Sequence, residues 1–73
     1  MIAILSGGKH AGTVLELRYP EVRRVVTPLL NDGTHWATDE EGQPYRPMFV
    51  QAVHERRPEE QGEPVIFDFV GVQ

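Results

Sequence analysis

The chain contains no cysteine. A disulfide framework, a thiolate nucleophile and every cysteine-ligated zinc or iron–sulfur site are therefore excluded, and the fold has to be held by packing alone. Long hydrophobic runs are missing too. The longest uncharged apolar stretch near the start, Met1 to Gly8, is far short of the roughly 18 residues that a membrane-spanning helix needs. No charged segment precedes it as in a secretory leader, so a cytoplasmic protein without membrane contact is expected. Unbroken sequence is also scarce. Six prolines and seven glycines leave no window longer than about 12 residues without a strong breaker, which excludes long helices.

A chain of 73 residues buries only roughly 60% of its unfolded surface and cannot divide that between two cores. One domain spanning 1–73 follows. Hydrophobic residues make up 40% and charged residues 25%, close to an average globular protein, which argues against a wholly disordered chain.

Between the breakers lie short runs rich in β-branched and aromatic residues: Met1–Leu5, Thr13–Arg18, Val22–Leu30, Thr34–Thr38, Tyr45–His54 and Val65–Val72. Period-2 alternation marks them as half-buried strands. Leu15 and Leu17 share one face of their run, and Phe67 and Phe69 share one face of theirs, opposite Asp68. The expected fold is mainly β: a small antiparallel meander or partly open barrel of five to six short strands. Asn31-Asp32-Gly33 reads as a hairpin turn, and Asp39–Pro44 as a second, looser connection. Pro28 lacks an amide donor, which places its strand at a sheet edge or at a bulge. Pro47–Arg56 fits two descriptions. It is a strand with Phe49, Gln51 and Val53 on one side, or it includes one short helix near Met48–Val53 with Met48, Phe49, Ala52 and Val53 as the apolar stripe. The polar Arg57–Pro64 stretch is expected to be a mobile hairpin loop.

Ser6-Gly7-Gly8-Lys9-His10-Ala11-Gly12 invites comparison with a phosphate-binding loop. His10 follows Lys9 where that motif needs serine or threonine, and Ala3 stands where its first glycine belongs. A glycine-rich turn between the first two strands is the better description, with Gly7, Gly8 or Gly12 at positive φ. A strand at the N-terminus, then Gly7-Gly8-x-x-x-Gly12, then Thr13–Leu17, Tyr45 and Phe67-Asp68-Phe69 resembles small β-rich proteins of bacteriophages and prophages. Those proteins often carry an aspartate just before the third glycine, where Ala11 stands here. The resemblance implies a fold and an origin, and it transfers no functional residue.

The three histidines, His10, His35 and His54, lack the spacing of metal motifs. They read as surface or capping residues, and neither a metal site nor a cofactor is expected. His35 with Ser6 and either Asp32 or Asp39 can be written as a triad. A barrel this small, filled by its own side chains, seldom leaves the concave pocket that catalysis requires, so an enzyme is not expected.

Charge is unevenly spread. Residues 9–24 set Lys9, Arg18, Arg23 and Arg24 against two glutamates, whereas residues 32–63 set three arginines against eight carboxylates. Nucleic-acid binding wants a dense basic face, and three arginines near Tyr19 are thin support for it. Trp36, the single tryptophan, has two readings. Burying it removes about 200 Å² from water, which favours a place in the core; exposed, it would be an anchor for a partner. The core is expected to draw on Leu15, Leu17, Phe49, Val53, Phe67, Phe69 and Trp36.

The function expected from these observations is non-catalytic. A small phage-encoded protein would bind and inhibit a host protein in transcription, nucleic-acid processing or antiviral defence. Its candidate contact residues are Arg23, Arg24, Trp36, Asp39, Glu40 and Glu41. A homo-oligomeric virion or assembly protein and a small nucleic-acid-binding module are the alternatives.

Overall fold

The computed structural model describes residues 1–58 and 62–73. Among these residues, seven strands form two sheets: β1 (Ile2–Ser6), β2 (Val14–Glu16), β3 (Arg24–Leu30), β4 (Ala37–Thr38), β5 (Pro44–Tyr45), β6 (Phe49–Arg56) and β7 (Val65–Val72). The larger sheet, ordered β2-β1-β7-β6-β3, curls into a half-barrel, and β4 pairs only with β5. The mainly β, partly open barrel read from the alternation is the fold observed. Residues 49–56 form a strand, which decides between the two descriptions of that segment. One feature goes beyond the antiparallel expectation. The first and last strands lie side by side at the sheet centre and run parallel, with Ala3 opposite Val65 and Leu5 opposite Phe67.

Alternation decides which side chains meet inside the curl. Ala3, Leu5, Leu17, Val65 and Phe67 are buried together, with Met1, Leu15, Val22 and Val25 packed against them. Fully burying a side chain such as Leu5 or Phe67 is worth about 1.5–3 kcal/mol. His54 projects from the same face as Val50 and Ala52 and has no exposed surface. This corrects its reading as a surface residue. Its Nε2 donates to the Gly7 carbonyl at 3.2 Å, and its ring meets Phe69 edge-on at 5.4 Å.

Two further expectations are overturned. Trp36 is 59% exposed and Phe49 55% exposed, so neither belongs to the core. The period of the strand puts Phe49 on the outer face, opposite Leu30 at one end of the β3–β6 ladder. Val53 shares that face further along, beside Val26, and is covered. Asn31-Asp32-Gly33 turns the chain but closes no hairpin, because β3 pairs with β6 across an excursion of residues 31–48. The hairpin turn of the smaller sheet is the Asp39–Gln43 stretch. There the Asp39 carboxylate accepts the amides of Glu41 and Gln43, and Gly42 sits at φ +81°. Arg57–Pro64 joins β6 to antiparallel β7, and the centre of that stretch, 59–61, lies outside the described residues.

The 31–48 excursion is an arm. The molecule measures 47 × 20 × 19 Å with a radius of gyration of 14.6 Å, against about 11 Å for a compact chain of this length. Asn31 roots the arm. Its Oδ1 accepts the amides of Gly33 and His35, and its Nδ2 donates to the carbonyls of His35 and Pro47. The ladder bond from the Asn31 amide to the Met48 carbonyl closes the base.

Candidate groove and aromatic arm

The half-barrel stays open along one side, and a groove of about 260 Å³ remains there. This corrects the expectation that so small a core leaves no room for a pocket. The sheet curls without closing, so the inner residues at the open end find no partner across from them. Leu29 of β3, Val50 of β6 and Phe69 and Val72 of β7 make the floor. Leu29 and Val50 are register partners, and Val72 stands opposite Ala52 on the same face.

One bank is the β1–β2 loop. An added Cβ on Gly8 would lie 2.8 Å from the Phe69 ring, and its φ is +73°; glycine is required here on both counts. The loop thus lies directly on Phe69 and brings Lys9 to the lip of the groove. Just beyond, His10 Nε2 donates to the Pro28 carbonyl at 2.9 Å. Ladder bonds from Arg56 to Arg23 and from Asn31 to Met48 show that odd-numbered residues of β3 face β6, so Pro28 turns its donor-less nitrogen and its carbonyl to the free edge. β3 is an edge strand, as Pro28 implied, and the proline and His10 together blunt that edge.

The root of the arm makes the other bank, with Leu30, Asp32 and His35. Asp32 Oδ1 accepts the Thr34 hydroxyl at 2.6 Å and the Thr34 amide at 3.0 Å. These bonds, helped by the charges of Lys9 and His35, hold its carboxyl below the ordinary range. The Asp32 carboxylate is therefore anionic and engaged within its own turn. Lys9 is the chain's single lysine, and no hydrogen bond or ion pair engages its ammonium among the described residues.

The arm exposes what the core does not take. Trp36, Tyr45 and Met48 are all largely solvent-accessible, and Leu30 and Phe49 adjoin them at the root. The Arg46 guanidinium lies 4.8 Å over the Trp36 ring, and its far end passes the bare Cα of Gly33. The indole is therefore held in place although it is not buried.

The six candidate contact residues divide in two. Trp36, Asp39, Glu40 and Glu41 share the arm, with the Asp39 carboxylate committed to its turn. Arg23 and Arg24 lie at the other end of β3, about 20 Å of strand away, and Arg24 donates to the Gln73 side chain. Ser6 faces away from Leu5, beside Asp68, whereas His35 and Asp32 line the groove, so the paper triad is not assembled. Among the described residues no group of three or more His, Asp or Glu side chains is placed to hold a metal ion, and no helix is long and apolar enough to cross a membrane.

Sequence reasoning missed Lys9 as a lip residue and His54 as an interior one. The period of β6, which groups Val50, Ala52 and His54, carried the second signal. Nothing local carried the first. The buried His54 Nδ1 and Thr27 Oγ1, both on the inner face, have no hydrogen-bond partner among the described residues. Comparison with known proteins finds no matching family model, no matching curated protein and no matching solved structure.

Proposed function

We propose that this chain is a non-catalytic binding protein that engages a partner polypeptide through its arm and modulates that partner by covering part of its surface. The observation that carries the reading is Trp36. It is more than half exposed and clamped by Arg46, on an arm that also exposes Tyr45 and Met48. An apolar surface of this kind costs solubility unless something covers it, and a preorganised tryptophan is the side chain most often found at the energetic centre of an interface. The phage-like opening Gly7-Gly8-x-x-x-Gly12 supports a host protein as the partner and inhibition as the outcome. Addition of a strand at the β3 edge is disfavoured by Pro28 and His10, so occlusion by the arm is the mechanism.

The test is capture of partners from a bacterial lysate by the tagged full-length chain, run beside Trp36→Ala. A stoichiometric partner retained by the parent and lost by the variant is the expected result. Recovery of no stoichiometric partner, or of one indifferent to Trp36→Ala, overturns the proposal. The same apolar surface supports a second reading, homo-oligomerisation, for which light scattering would show a mass that rises with concentration and falls in Trp36→Ala.

A further inference from the structure

We propose that the groove beside the arm is an anchor site for one apolar side chain of a partner polypeptide, leucine- or phenylalanine-sized, followed immediately by a glutamate or aspartate. The inference rests on the binding role proposed above and adds to it the chemistry of the partner.

Size decides the first half. At about 260 Å³ the groove is below the roughly 300–1,000 Å³ of sites that enclose cofactors or drug-sized ligands, yet it is ample for a single side chain. Its floor of Leu29, Val50, Phe69 and Val72 offers aliphatic and aromatic contact and no charge. Charge decides the second half. Of the two ions at the lip, Asp32 spends Oδ1 on the Thr34 amide and hydroxyl. Lys9 keeps its three donors. Lys9 acts on Asp32 through its charge alone, so the complement of an apolar floor with unused ammonium donors at its lip is an apolar group with an adjacent carboxylate. The acidic residues Asp39, Glu40 and Glu41 sit in the turn at the far end of the arm, so they do not crowd such a carboxylate.

Continuity decides the source. Leu30 lines the groove and is also exposed opposite its ladder partner Phe49, whose chain neighbour Met48 is exposed at the root of the arm. An occupant that fills the groove can therefore continue along the arm, as an internal segment of a polypeptide does and a chain end or free small molecule does not.

The test is a nuclear magnetic resonance titration of the isotope-labelled full-length chain with the capped peptide acetyl-Gly-Leu-Glu-Gly-amide. Two controls replace leucine with alanine or glutamate with glutamine. Expected are amide shifts at Gly8, Leu29, Val50 and Val72, an affinity at least about tenfold lower for the alanine peptide, and one about two- to fivefold lower for the glutamine peptide. In Lys9→Gln, a change on an exposed loop, the glutamate and glutamine peptides should bind equally. Leu30→Ser, also exposed, should weaken all three peptides. Absence of shifts at the groove, equal binding of the glutamate and glutamine peptides by the parent chain, or tighter binding of acetyl-Gly-Leu with a free carboxylate overturns the inference. Loss of lysate capture in Trp36→Ala with no peptide entering the groove would sink this inference alone. Capture indifferent to Trp36→Ala would sink the role of the arm.

Discussion

The half-barrel and the arm are built from the same kinds of residue and held by different forces. In the half-barrel, Leu5, Val65 and Phe67 are removed from water, and the ladders of five strands satisfy the backbone around them. In the arm, Trp36 and Tyr45 stay wet, and shape comes from short polar side chains: Asn31, Asp32 and Asp39 each accept nearby amides. Hydrogen bonds of this kind contribute little net stability, about 0.5–1.5 kcal/mol each, but they set geometry. The arm therefore keeps Trp36, Tyr45 and Met48 exposed without needing their burial to hold its shape.

The sharpest way to break this comparison is to delete side chains on each side of it. Phe67→Ala, at a position with no exposed surface, should cost about 3–5 kcal/mol, a large share of the total stability of a small domain, and shift the urea midpoint accordingly. Trp36→Ala should cost no more than about 0.5 kcal/mol and leave that midpoint nearly unmoved. Comparable losses for the two variants would mean that the arm is part of the core.

Two glycines of one loop give the next largest contrast. Gly8→Ala places a methyl group against the Phe69 ring, whereas Gly12→Ala, at φ +88°, meets nothing within 4 Å. Both carry backbone strain of about 1–2 kcal/mol, and Gly8→Ala should cost about 1–3 kcal/mol more through overpacking. Equal thermal midpoints would show that the loop lifts off the groove freely.

Asn31→Ala should produce a smaller and more local effect, about 1–2 kcal/mol. Hydrogen exchange should accelerate between Gly33 and Pro47 and stay protected in β1 and β7. Uniform acceleration would join the arm to the cooperative unit of the barrel.

The smallest expected effect lies in acid. Two bonds from the Arg57 guanidinium, at 2.8 and 2.9 Å, hold the Asp68 carboxyl below its ordinary value of 3.8. Because the folded value is the lower one, the pair stabilises the fold at pH above 3.8 and loses that contribution as pH falls through the depressed value. Asp68→Asn should flatten the acid limb of the stability curve slightly. The pair is exposed, and 1 M salt should blunt the difference.

Several of these elements could be read in advance because their cause is local. Leu15 with Leu17 and Phe67 with Phe69 announce strands that bury one face, and Pro28 announces an edge, since its missing donor is harmless only there. Where the reading went astray, the cause is long-range. Asn31-Asp32-Gly33 has the composition of a hairpin turn, but β3 finds better cross-strand partners in the long, β-branched β6 than in the two-residue β4. Tryptophan and phenylalanine are apolar wherever they stand, and only the long-range pairing puts Trp36 on the arm and Phe49 on the outer face of the sheet, away from the core.

By itself the sequence determined that the chain would make short strands, would need no thiol or disulfide, and would turn at Gly7, Gly8 and Gly12, because alternation and positive φ are properties of neighbouring residues. Only the tertiary structure decided that β1 and β7 lie side by side, that the β1–β2 loop settles on Phe69, and that Lys9 meets Asp32 and His35 across a groove. These pairings join residues up to about sixty positions apart, and they follow from how a twisted five-stranded sheet curls and where it stops short of closing.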